Sequence, residues 1–86
     1  MRFPLGHIVA TPGALATFGH EGCFLLLARH ARCDWGDVDG SDRRENELAL
    51  RDGARLFSAY STPAGRCWIV TEADRSSTCI LLPSEY

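Results

Sequence analysis

The sequence predicts a single α+β domain in which two to three N-terminal helices pack on a small antiparallel sheet. Three observations carry that prediction. A chain of 86 residues can bury only one core, so residues 1–86 form one domain. Up to Asp52 the apolar residues recur at helical spacing between capping residues, and beyond Gly53 they fall into short β-branched and aromatic runs separated by turn residues. At 45% hydrophobic and 23% charged, the composition is that of a chain that folds without a partner, which sets intrinsic disorder aside.

Gly6–Ala10 is a β-branched apolar run that stops at Thr11-Pro12-Gly13, the pattern of a short first strand. Thr11 then serves as an N-cap and Pro12 suits the first helical position, where its missing N–H costs nothing. A short helix is expected from Pro12 to near Gly19. A second helix, from His20 to Ala31, places Phe24, Leu27, Ala28 and Ala31 on one stripe, widened by Leu25 and Leu26, and reads as the central core helix. Asp34-Trp35-Gly36-Asp37 breaks it, and Asp39-Gly40-Ser41 prolongs the loop. Asp42 and Glu45 then resemble a capping box for a third helix over Asp42–Asp52, with Asn46, Ala49 and Leu50 facing inward and Gly53 as C-cap. Ala54–Ser61, Arg66–Glu72 and Ser77–Leu82, joined by turns at Thr62–Gly65 and Ala73–Ser76, form a three-stranded meander that the N-terminal strand supplements.

Charge is unevenly placed. Asp34–Asp52 holds seven acidic residues (Asp34, Asp37, Asp39, Asp42, Glu45, Glu47, Asp52) against Arg43, Arg44 and Arg51, so this window is −4 and the rest of the chain +2. Such a face repels nucleic acid directly and favours a basic partner, including one that itself binds nucleic acid. The bland alternative is a solvated helix and its approach loop. The longest apolar run, Cys23–Ala28, is far short of the roughly 20 residues that span a bilayer, so no membrane association is expected. The N-terminus, with Pro4 and His7 inside what would be an apolar core, does not read as a signal peptide, and a cytoplasmic protein with free Cys23, Cys33, Cys67 and Cys79 is expected.

Between Arg29 and Asp42 the chain concentrates a His, a Cys, a Trp and four aspartates around two glycines. His20, Cys23, His30 and Cys33 form an H-x2-C-x6-H-x2-C array of zinc-competent ligands. On one helix, however, His20 and His30 lie about 15 Å apart at 1.5 Å per residue, so they cannot share a tetrahedral ion; neither metal nor other cofactor is expected. Catalysis would need Cys33 or Ser58 as nucleophile and His30 as base, steered by Asp34 or Asp37. No nucleophile elbow, oxyanion-hole motif or phosphate loop accompanies them, and enzyme function is not expected. Trp35 suits an interface anchor and a cap over the core equally, whereas Trp68 reads as core.

The pattern RH…DWGD (Arg29-His30, Asp34–Asp37), then Asn46, Ala49-Leu50, Gly53, Arg55, Ser58 and Tyr60, then Gly65, Trp68-Ile69, Thr71-Glu72, Asp74–Ser76, Thr78 and Leu81–Tyr86, resembles a family of small, largely uncharacterised proteins carried on bacterial plasmids and integrative elements. Thr11–Ala14 also fits, while Cys33 stands where that family has glycine and Cys79 where it has threonine. Small proteins of mobile elements commonly protect the element against host restriction or CRISPR immunity. The resemblance therefore implies an anti-CRISPR or anti-restriction inhibitor that occupies a basic, nucleic-acid-binding surface of a defence complex and does not itself bind nucleic acid. Asp34, Trp35, Asp37, Asp39, Asp42, Glu45 and Glu47 would make the contact. The alternative is a regulatory or ligand-binding protein of the element that uses a loop site at His30, Asp34 and Asp37, completed by Asp74 and Arg75.

Overall fold

The Thr11 hydroxyl accepts the N–H of Ala14 at 3.1 Å and opens helix α1 (Pro12–Ala31), with Pro12 in the first turn as its missing N–H allows. The carboxylate of Glu85, at the other end of the chain, adds to this cap: it accepts from the Thr11 hydroxyl at 2.6 Å and from the Gly13 N–H at 3.2 Å. α1 is one helical segment kinked at Gly19 (φ 72°, ψ 171°), at the point where the sequence separates two helices. Its buried stripe is Cys23, Leu26, Leu27 and His30, spaced i, i+3, i+4, i+7. Phe24, expected on the core face, is instead 68% exposed and Leu25 58%. The run of five apolar residues before Ala28 fits either stripe, and the deciding partner is the polar pocket that takes His30.

Helix α2 (Gly40–Asp52) begins two residues earlier than the sequence suggests. Asp39, not Asp42, is the N-cap and accepts the Asp42 N–H at 2.8 Å. Asp42 sits in the first turn, where its charge meets the positive end of the helix dipole. Both aspartates can cap, and the loop that pins Asp37 to the sheet brings Asp39 into place. At the other end Gly53 (φ 77°) closes the helix in the left-handed conformation, and Asn46 and Ala49 are buried as expected.

The structure describes residues 2–86. Strands β1 (His7–Ala10), β2 (Leu56–Thr62), β3 (Gly65–Thr71) and β4 (Ser77–Leu81) form one sheet in the order β1-β4-β3-β2, followed by a 3-10 turn at Pro83–Glu85. The meander β2-β3-β4 is antiparallel, but β1 runs parallel to β4, with His7 opposite Ser77 and Ala10 opposite Ile80. The sheet is therefore mixed, which corrects the antiparallel expectation. A four-residue apolar strand carries no signal of direction, and the long connection between β1 and β4 permits parallel pairing. α1 covers one face of the sheet, burying Tyr60, Cys67, Ile69 and Ile80. On the other face Trp68 packs edge-on between Phe57 and Tyr86.

The β2 edge is sealed from within the chain. Asn46 accepts from the Phe57 N–H at 3.1 Å and donates to its carbonyl at 2.7 Å, so one side chain stands in for a strand. Next along, the Ala59 N–H donates to the Trp35 carbonyl and the Asp37 N–H to the Ala59 carbonyl, forming a one-residue bridge at Gly36. A Cβ at Gly36 would fall 2.1 Å from the Ala59 oxygen, and φ there is +74°, so only glycine fits. Asn46→Leu should lower the unfolding free energy by about 1–2 kcal/mol, because it strands a part-buried N–H and C=O of Phe57; a shift in the urea midpoint at constant slope checks it.

Candidate functional site

The densest polar arrangement lies inside the protein and is centred on His30. α1 delivers the imidazole, with no exposed surface, between β2 and β3. Its Nδ1 is 2.5 Å from Ser58 Oγ and its Nε2 is 2.9 Å from Thr71 Oγ1. Thr71 continues to Thr78 Oγ1 at 2.8 Å, and Thr78 donates to the Leu5 carbonyl at 2.7 Å. That last bond sets the direction of the rest. With the Thr78 proton on Leu5, Thr71 donates to Thr78 and accepts from Nε2–H, leaving Nδ1 to accept from Ser58. His30 is thus a neutral Nε2–H tautomer, and burial pushes its pKa down to about 4.

Ser58 and His30 do meet, as a nucleophile and base would. Both are fully buried, the second ring nitrogen faces a hydroxyl rather than a carboxylate, and an imidazole with a pKa near 4 is a weak base at neutral pH. The pair joins α1 to β2. Phe3 and Trp35 complete its walls, each edge-on to the imidazole at 5.4 and 5.7 Å between centroids. Thr71 and Thr78 stand in the resemblance pattern without a role; the only local signal of their part here is a threonine at an inward position of each strand.

The Asp34–Asp37 turn is held as tightly. Arg29 binds Asp34 at 2.7 Å and lies over the Tyr60 ring at 4.5 Å, while the Tyr60 hydroxyl donates to the Asp34 carbonyl. The Arg29 guanidinium keeps the Asp34 carboxyl below its usual range. Trp35 is only 2% exposed and donates its indole N–H to Glu47 at 3.1 Å. It is a core residue and contributes no surface to a partner. Cys33, at the end of α1, has φ +65°, the left-handed conformation that glycine adopts most readily.

Of the acidic residues singled out, Asp34 is paired with Arg29, and Glu47 with Arg2 at 3.2 Å as well as Trp35. Asp37, Asp39, Asp42 and Glu45 are exposed around the start of α2 and make no ion pair among the described residues. The loop site is not assembled. His30 is sealed, and Arg75 spends its guanidinium on the carbonyls of Ala49, Ala54, Glu72 and Ala73, clamping the β3–β4 turn to the end of α2. Asp74 accepts from the Ser76 N–H within that turn. The zinc-type ligands are dispersed: His20 is exposed, Cys23 is buried with its thiol on the Ala14 carbonyl, and His30 faces Ser58 and Thr71.

No family model, no curated protein sequence and no solved structure matches this chain.

The His30 joint predicts a pH dependence. Unfolded His30 takes up a proton below about pH 6.5, whereas folded His30 resists it until about pH 4. Its contribution is therefore complete above pH 6.5 and is lost as pH falls through that window, by about 2 kcal/mol at pH 5. Urea unfolding at pH 7.5 and pH 5 should show this difference, and His30→Gln should remove most of it.

Proposed function

We propose that the protein is a stoichiometric, non-catalytic inhibitor of a host-defence complex, anti-CRISPR or anti-restriction, which it binds through an acidic face set against a basic, nucleic-acid-binding surface. The observation that carries this reading is the group of exposed, unpaired carboxylates Asp37, Asp39, Asp42 and Glu45 around the first turn of α2. Their surroundings support it. Asp37 sits on a loop bonded to β2, and Asp39 and Asp42 are held by a capped helix, so the charges are presented on a rigid frame. Pre-placed charge loses little conformational entropy on binding.

Asp34 and Glu47 belong to the edge of this face, since arginines already share their charge. Trp35 supports it from below. The mobile-element setting rests on the resemblance of the RH…DWGD and G..WI.TE.DRS.T..LLP.EY patterns, and a cytoplasmic site of action goes with a nucleic-acid-binding partner. No helix among the described residues is long and apolar enough to cross a membrane.

The cap refines the test. Reversing Asp39 would unseat α2, so the variant to make combines Asp37→Lys, Asp42→Lys and Glu45→Lys with Asp39→Asn, which keeps a capping oxygen. It should retain the parent's circular dichroism and lose capture of the complex in a pull-down from a host with active CRISPR or restriction immunity. Parent binding should also weaken as salt rises, because such attraction is screened beyond about 10 Å at 0.1 M. Undiminished inhibition by the folded variant, or a parent that inhibits no such complex, rejects the reading.

A further inference from the structure

The two edges of the sheet are treated in opposite ways. Asn46 and the Trp35–Asp37 loop cover β2, but nothing among the described residues covers β1. His7 and Thr11 direct their N–H groups to Ser76 and Ile80 of the β4 side. In a parallel ladder the alternate residues point the other way, so the N–H and C=O groups of Ile8 and Ala10 line the open edge. The edge carries none of the usual protection: His7–Ala10 has no proline, lysine or other formal charge, and no bulge.

Apolar surface surrounds that edge. Ile8 is 54% exposed, Val9 50%, Phe24 68% and Leu25 58%. Ile8, Leu15, Phe24 and Leu27, together with His20, also line a groove of about 350 Å³ between α1 and β1. Together the four exposed side chains leave roughly 400 Å² of apolar area in water around this edge, Ile8 on the α1 face of the sheet and Val9 on the other, about half of what one partner buries in a standard interface.

We propose that β1 is a homodimer interface, in which it pairs antiparallel with β1 of a second copy to give a continuous eight-stranded sheet. The open backbone groups select a strand as occupant, and charge selects a copy of the same strand. A two-fold interface brings each residue at its centre against itself, so it tolerates no charge there, and the central residues Ile8, Val9 and Ala10 carry none. Ile8 opposite Ala10 of the second copy uses all the open N–H and C=O groups of both residues. Val9 then meets its own copy at the axis as a non-hydrogen-bonded pair, with Cα atoms about 4.5 Å apart. The axis stands normal to the sheet, so both α1 helices lie on one face and the two grooves with their Phe24 side chains adjoin. The acidic face, around α2 beyond the opposite edge, stays open in the dimer.

Sedimentation equilibrium across a dilution series of the full chain tests this. The parent should approach twice the chain mass, and Val9→Lys, which opposes two ammonium groups at the axis, should raise the dimer dissociation constant by at least about tenfold with an unchanged circular dichroism spectrum. Val9→Cys, made together with Cys79→Ser because the Cys79 thiol is the neighbour of position 9 on β4, should form an intermolecular disulfide on mild oxidation that Cys79→Ser alone does not form, since the pair separation suits one. A parent that sediments as a monomer at every concentration overturns the proposal, and so the edge would await a strand from another protein. A dimer indifferent to Val9→Lys, or one in which Val9→Cys fails to cross-link, overturns it as well.

Discussion

The fold turns on a buried imidazole that must be satisfied on both sides. His30 brings two ring nitrogens into a space closed to solvent, and each unpaired polar atom there would cost on the order of 1–3 kcal/mol. The chain meets this demand with hydroxyls from three different strands: Ser58 of β2, Thr71 of β3 and, through Thr71, Thr78 of β4. The relay ends on the Leu5 carbonyl, just before β1. One directional chain of hydrogen bonds thus joins the helix, the whole meander and the N-terminal segment. A register slip in any strand would turn its hydroxyl to the opposite face, so the relay specifies alignment as much as it stabilises it.

A second constraint follows from that joint. With His30 fixed, the chain leaving α1 must turn at once, and it does so along β2: Asp34 on Arg29, Trp35 over His30 and Phe3, and Gly36 against the Ala59 carbonyl. The turn covers one sheet edge and delivers Asp37 and Asp39 to the surface. His30, Trp35 and Arg75, all singled out in the sequence, are therefore spent on construction, and the acidic residues that stay exposed are ordinary carboxylates. The acidic surface and the bare apolar strand lie beyond opposite edges of the sheet, so the two proposed interactions would not compete.

Much of the architecture was legible locally. Thr11 and Pro12 announced the first helix, Gly19 its break, and Gly53 the end of α2, because capping and left-handed backbone are short-range chemistry. The three strands after Gly53 matched their apolar alternation within a few residues. The choice of Asp39 over Asp42 as cap was not legible, since both are competent and the decision lies in the bond from Asp37 to Ala59. Nor was the stripe of α1, where Phe24 and Cys23 compete for the core in a run with almost no polar face. The candidate site divides in the same way: the charge of Asp37–Glu45 was readable from composition, while the burial of Trp35 and His30 was not.

By itself the sequence determined an α+β class, the start of α1, its break at Gly19, the end of α2 and an acidic segment, all of which follow from capping, periodicity and charge within a few residues of each other. Tertiary structure alone decided the parallel docking of β1, the pairing of His30 with Ser58 and Thr71, the conversion of Asn46 into a surrogate strand, and which edge of the sheet stays open. These depend on contacts between residues distant in the chain, and the free energy that selects them belongs to burial and hydrogen-bond satisfaction, which no local pattern contains.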